Sequence, residues 1–117
     1  MTHLVDAALI NSRVSRRLKN PRLSGHALRE IATMLTFEQY RIELAFADLD
    51  VQSHGLRRDL LPLDRALSAM NEAVQALHAL AQTASVAELR IGVKAAHENA
   101  SVVLALLEAE VRAGEQG

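Results

Sequence analysis

Histidine is the residue type in this chain best suited to metal binding, and its spacing decides whether two rings can share one ion. His78 and His97 fall on two predicted helices beside apolar seams, where imidazoles on facing helices could hold a transition metal. Helical metal sites usually place two ligands on one face as Glu-x-x-His or His-x-x-x-His, and neither spacing occurs here. Antiparallel packing would also separate the two rings by about 9 Å along the bundle axis. We therefore expect no metal site and no cofactor.

Acid–base catalysis is the second chemistry that the residue types allow. His26 and Glu30 are four residues apart, so a helix places them on one face, where they could form a catalytic His–carboxylate pair or a simple surface contact. No Ser, Thr or Lys nucleophile is placed beside them by any pattern. The chain has no cysteine, no G-x-G-x-x-G and no G-x-x-x-x-G-K-[ST] motif, which argues against thiol catalysis, dinucleotide redox chemistry and nucleotide hydrolysis. We expect a protein that is not an enzyme.

The carboxylates in the middle of the chain are expected to be solvated surface groups. They fall between the apolar stripes of the second predicted helix or in the segment that follows it: Glu38, Glu43, Asp48, Asp50, Asp59 and Asp64. Asp48 and Asp50 point about 200° apart on a helix, so they are poor partners for one metal ion.

A basic cluster near the N-terminus is the strongest functional signal in the sequence. Its members are Arg13, Arg16, Arg17, Lys19 and Arg22, and the first three share one helix face at i, i+3 and i+4. Such a face can bind phosphates with salt-sensitive affinity, so a nucleic-acid-associated regulator is the alternative function. The segment that follows is a long apolar helix without base-reading side chains, and stacking aromatics are missing. A solvated end, or charge pairing with acidic residues of a second subunit, is the simpler interpretation.

The composition predicts that helices position all of these residues. Leu and Ala make up 39 of the 117 residues and only three residues are aromatic, which favours helix over sheet. A chain of this length forms one domain, 1–117, here with a basic N-terminal helix or arm at 1–22 and a frayed polar tail at 113–117. The longest apolar run, 102–107, is too short to span a membrane, and no secretory signal is recognisable. We expect a soluble, cytoplasmic protein.

Start and stop signals divide the chain into four predicted helices. The first covers 2–18, ends before Asn20-Pro21, and does not place its apolar residues on one stripe. The others are expected from a Ser24 cap to about Ser53, from near Leu60 to about Thr83, and onward from an S-x-x-E capping box at Ser85. Short connections make neighbours antiparallel, so we predict an elongated, all-α, antiparallel up-down bundle of three long helices plus a short N-terminal helix.

The second predicted helix is apolar on two nearly opposite sides, which is the most informative feature of the chain. One side follows helical spacing and is expected to face the bundle core: Leu28, Ile31, Leu35, Ile42, Phe46 and Leu49. The other side consists of Phe37, Tyr40, Leu44 and Val51. Four such residues left in water would form an unusual apolar patch on a monomer, so something is expected to cover them.

Three occupants could cover this second side: the N-terminal helix folded back, the same helix of a second subunit, or a helix of another protein. The N-terminal helix is short and weakly patterned, so we favour a homodimer. The sequence thus predicts a non-enzymatic interaction module, such as an adaptor, a chaperone-like or a small regulatory subunit. It would self-associate through Phe37, Tyr40, Leu44 and Val51.

Overall fold

The computed structural model describes residues 2–52, 60–82 and 84–116. Their regular secondary structure is entirely α-helical and forms four helices: α1 Thr2–Leu18, α2 Gly25–Gln52, α3 Leu61–Leu80 and α4 Val86–Gln116. The prediction of an all-α helical bundle is therefore confirmed, and the predicted limits at Ser53 and Thr83 lie outside the described residues. Within the described ranges, no helix is long and apolar enough to cross a bilayer.

Local capping fixes where α2 and α4 begin. The Ser24 hydroxyl accepts a hydrogen bond from the Ala27 backbone N–H at 3.1 Å, as an N-cap serine does. The Ser85 hydroxyl accepts one from the Glu88 N–H at 3.2 Å and donates one to Glu88 Oε1 at 3.1 Å. The N-terminal caps predicted for both helices are confirmed, because each depends only on residues within one turn of the helix start.

The end of α4 differs from the sequence-based expectation. A frayed tail is predicted from Ala113, whereas the helix continues to Gln116. The half-buried Val111 packs against the core. The last turns are also rich in Ala, Glu, Arg and Gln, which are good helix formers. Packing and propensity therefore both extend the helix beyond the predicted boundary.

Successive helices run antiparallel, so the bundle has the predicted up-down order. Arg17 near the end of α1 contacts Glu30 near the start of α2 at 3.0 Å, and Arg29 of α2 donates to the carbonyl of Ala81 just after α3. Helices α2 and α4 contact each other across the bundle, whereas α1 and α3 share no contact among the described residues. The bundle measures 48 × 22 × 16 Å, so it is elongated as predicted.

The core confirms the inner side predicted for α2. Leu28, Ile31, Leu35, Ile42 and Leu49 are buried, and Phe46 is half-buried against them. The other two long helices contribute Leu63, Met70, Val74 and Leu77 from α3 and Leu89, Val93, Ala96, Ala100, Val103, Leu104 and Leu107 from α4. At Gly92 the two helices approach closely, since a Cβ atom there would lie only 3.1 Å from Leu80 Cδ1.

Helix α1 has a single inward stripe, contrary to the sequence-based interpretation. Leu4, Ala7 and Val14 are buried, and Leu18 is half-buried against the core. Their spacing of 3 and 4 is completed by Asn11, which fills the one gap between Ala7 and Val14. The stripe is not visible as an apolar pattern because one of its residues is small and another is polar.

Candidate functional site

The outer face of α2 is the candidate interaction surface, and two aromatic side chains dominate it. Phe37 is 62% and Tyr40 57% exposed, Leu44 is half-buried, and Val51 lies outside the described side chains. The chain has only three aromatic residues, and two of them are exposed to solvent on one helix face. Such exposure of large apolar side chains is unusual for a surface that stays in water.

Neighbouring helices pack against the flanks of α2 and leave this face open. On one flank, Arg41 lies 3.7 Å from Asp6 of α1. On the other, Gln39 donates to Asn71 of α3 at 2.6 Å. Helix α1 therefore folds back along α2 but does not cover Phe37, which removes one of the three occupants considered for the face.

The exposed residues of this face continue a heptad pattern that is separate from the buried one. The α2 outer face is defined here as His26, Glu30, Thr33, Phe37, Tyr40, Leu44 and Ala47, at alternating spacings of 4 and 3. From Glu30 to Ala47 the pattern is symmetric about the point midway between Phe37 and Tyr40, so reversing the helix direction superposes this part of the face on itself.

The predicted basic cluster lies at the end of the bundle where α1 finishes. Arg17 is held by Glu30 at 3.0 Å and by the Met34 sulfur at 3.6 Å. Arg13 and Arg16 make no ion pair or side-chain hydrogen bond within the described part of the chain, and Lys19 and Arg22 are exposed there too. With Met34, the three helical arginines line an open cleft of about 310 Å³.

The two ends of the elongated bundle carry opposite charge. The end where α1 and α3 finish, covering 13–30 and 88–98, has eight Lys or Arg residues against three Asp or Glu. The opposite end, covering 2–12, 40–52, 60–72 and 99–116, has three basic against nine acidic residues. The described part of the chain is therefore an electric dipole along the long axis of the bundle, although the net charge of the full sequence is only −1.

Glu38 was expected on the surface, and this expectation is wrong. The side chain is fully buried, and its Oε2 accepts a hydrogen bond from Asn11 Nδ2 at 2.8 Å. The same Asn11 amide donates to Ser101 Oγ at 3.1 Å, which in turn donates to the His97 carbonyl at 2.9 Å. One polar chain thus joins α1, α2 and α4 inside the bundle.

This buried carboxyl is only partly satisfied. Glu38 Oε1 has no hydrogen-bond partner in the described residues. Burial raises the pKa of Glu38 to about 7, and the hydrogen bond from Asn11 opposes that rise without cancelling it. The group therefore changes charge near neutral pH, at a place where an ion has no compensating charge beside it.

Sequence reasoning could have found this group from its register. Glu38 follows Ile31 by seven residues and precedes Ile42 by four, so it lies on the inner stripe of α2. Asn11 occupies the matching gap in the stripe of α1. Two polar residues in inward positions of adjacent helices are the signal, and the pattern of apolar residues alone does not contain it.

The histidines do not come together. His97 is half-buried, its Nδ1 has no hydrogen-bond partner in the described ranges, and burial lowers its pKa. His78 is exposed and forms a hydrogen bond with Thr36 at 2.9 Å. His26 lies 3.0 Å from Glu30 on the surface, which is the predicted helix contact. Among the described residues, no group of three or more His, Cys, Asp or Glu could hold a metal ion.

The fold and these surfaces define an all-α, antiparallel four-helix bundle with one exposed aromatic face and a buried polar layer. Comparisons with protein-family models, curated proteins and solved structures found no match to this chain. The function is therefore argued from the geometry alone.

Proposed function

We propose that this chain is a non-enzymatic interaction module that self-associates as a homodimer through the α2 outer face. The observation that supports this most is the exposure of Phe37 and Tyr40 on a helix whose opposite side is already in the core. Covering either aromatic ring would stabilise an assembly by about 1.5–3 kcal/mol. A cytoplasmic location is part of the proposal, since a chain without cysteine does not depend on disulfide formation.

An antiparallel pairing of two α2 helices is the arrangement that the register favours. With the two-fold axis midway between Phe37 and Tyr40, Phe37 of one chain packs against Tyr40 of the other. Thr33 then opposes Leu44 of the second chain, and Glu30 opposes Ala47. The same patch meets itself, as an isologous dimer interface requires.

Charge complementarity supports a second copy as the occupant. An antiparallel pair places the basic end of each bundle beside the acidic end of its partner, whereas a parallel pair would place like charges together. On α2, beside the outer face, Arg29 lies toward one end and Glu43 and Asp48 toward the other, and all three are exposed. A neutral or uniformly acidic partner would not use both ends of this dipole.

The mass in solution, measured by light scattering, tests the proposal. We expect the wild-type protein to have twice the 12.8 kDa of one chain. Tyr40→Asp should reduce the mass to that of one chain, because it buries a charge in the centre of the interface. Leu44→Asp should do the same, although its half-buried position makes Tyr40→Asp the cleaner variant.

The matched control is Val102→Asp on α4, where the side chain is 53% exposed and thus similar to Tyr40. This variant should keep the wild-type mass. Circular dichroism should show equal helix content in the wild type, Tyr40→Asp and Val102→Asp. A wild-type protein that stays monomeric at high concentration, or a Tyr40→Asp variant that keeps the dimer mass, would contradict the proposal.

Nucleic-acid binding through the basic cluster is the second candidate function. It is favoured by the free guanidinium groups of Arg13 and Arg16 beside the cleft that Met34 lines. Duplex DNA should then bind at about 50 mM salt and weaken strongly by about 200 mM. Binding should be lost in Arg13→Glu/Arg16→Glu but kept in Arg65→Glu/Arg112→Glu, which alters the opposite end.

A further inference from the structure

Helix α1 packs against α2 and α4 through a short apolar stripe that one polar residue interrupts. It has 17 residues but buries only Leu4, Ala7 and Val14, with Ile10 and Leu18 partly buried against the core. It contacts α2 and α4, and no contact with α3 exists among the described residues. The position at the centre of its inward stripe is taken by Asn11 instead of an apolar side chain.

The carboxyl of Glu38 lies under this central position. Asn11 is its one hydrogen-bond partner in the described residues, and Oε1 has none. A neutral carboxyl needs little solvation and can remain there. A carboxylate in the same place gives up its hydration by water and receives only one hydrogen bond in return. Because Asn11 of α1 supplies that hydrogen bond, separation of α1 from α2 would admit water to an ionised Glu38.

We propose that Glu38 is a proton-controlled switch for α1: the bundle holds α1 closed while the carboxyl is protonated, and α1 opens about the turn at 19–24 when the carboxyl ionises. The turn suits a hinge because Pro21 interrupts the chain between the two helices. This device is independent of the α2 outer face and does not rest on the proposed dimer.

The charged groups around Glu38 leave it uncompensated. One helical turn away, the guanidinium of Arg41 is shared between Asp6 at 3.7 Å and His3 at 3.0 Å. From α4 the nearest titratable group on the polar chain is His97, whose pKa burial lowers. The side of α2 that faces α3 presents the neutral Gln39–Asn71 hydrogen bond at this level.

The raised pKa sets the pH at which the switch acts. In the closed bundle the pKa of Glu38 is about 7, against an ordinary value of 4.5 once α1 is open and the carboxyl is hydrated. The closed state then binds more protons than the open state between these values. Raising the pH from about 6 to about 8 should increase the opening equilibrium of α1 about tenfold.

Hydrogen–deuterium exchange of the wild-type chain measures this opening. After correction for the intrinsic pH dependence of exchange, amides of α1 should lose about tenfold protection between pH 6 and pH 8, while those of α3 should change far less. In Glu38→Gln, where the side chain has a similar shape but cannot ionise, the pH dependence of α1 should disappear. Glu72→Gln, an exposed change on α3, should behave as wild type.

Two results would overturn the switch. The first is an equal loss of protection in α1 and α3, which would mean global unfolding instead of local opening. The second comes from the wild-type protein alone: a carboxyl carbon-13 titration of Glu38 with a midpoint near 4.5 would show a hydrated group, whatever the variants do.

Discussion

Glu38 occupies a place on α2 where its neighbours along the stripe, Ile31 and Ile42, are fully buried hydrocarbon. Carboxyl groups are rarely buried without a charged partner, because desolvation of the ion costs several kcal/mol. Here the protein lowers that cost by raising the pKa of Glu38 to about 7. The ionisation of a single side chain therefore makes the stability of the bundle depend on pH near neutrality.

Whether stability rises or falls with pH follows from the direction in which the pKa of Glu38 is shifted. Because the folded-state pKa exceeds the unfolded value, the folded chain binds the extra proton between pH 4.5 and about 7. The contribution of Glu38 to stability is greatest below the lower value and is lost as the pH rises through the upper one. His97 acts in the opposite direction, since its lowered pKa reduces stability as the pH falls below 6.5.

Replacing Glu38 with Gln should therefore stabilise the protein at alkaline pH. We expect the free energy of unfolding at pH 8 to rise by about 3 kcal/mol and that at pH 5 to change by less than about 1 kcal/mol. Urea unfolding of the variant and the wild type at both pH values measures these free energies of unfolding. Because both proteins contain His97, its contribution cancels when they are compared at the same pH. An equal effect at both pH values would show that the change comes from packing alone.

At the scale of elements, a feature could be predicted from the sequence when it depends on residues close together in the chain. The starts of α2 and α4 follow from Ser24 and Ser85, because a cap involves only the next turn of its own helix. The inner stripe of α2 followed from periodicity. The inward position of Glu38 follows from the register of the α2 stripe, whereas its pairing with Asn11 depends on how two helices pack, which no single-helix pattern contains.

The candidate interface was predictable in part for the same reason. The exposure of Phe37 and Tyr40 follows from their position opposite the inner stripe of α2. That α1 would pass beside them without covering them was not predictable, because it depends on how the inward stripe of α1 packs against α2 and α4. The ion pairs of Arg17 and Asp6 with α2 join residues distant in sequence, and several alternative pairings are equally compatible with the charges.

Removing the cap of α4 tests the local account of this element. Ser85→Ala should lower the free energy of unfolding by about 1 kcal/mol, because the Glu88 N–H loses its acceptor at the helix start. Ser68→Ala, at an exposed position within α3, is the control and should be neutral or slightly stabilising. Thermal unfolding of the three proteins gives the comparison, and an unaffected Ser85→Ala would mean that tertiary packing alone sets the start of α4.

For the whole molecule, shape and charge act together. A bundle 48 Å long with a basic and an acidic end has a preferred orientation toward a second copy of itself. The apolar α2 outer face supplies the contact, and the end charges select the antiparallel direction. Both features arise from the same chain order, since two short turns bring the basic segments of α1, α2 and α4 to one end.

The distance between two spin labels in the dimer tests this arrangement most directly. The chain has no cysteine, so a nitroxide at His26→Cys or Thr33→Cys is the only label on each protomer. Antiparallel pairing about the Phe37–Tyr40 midpoint predicts axial separations of about 38 Å for position 26 and about 17 Å for position 33. Equal short distances at both positions would show a parallel pair, and no intermolecular distance at either would show that the α2 outer face does not bind a second copy.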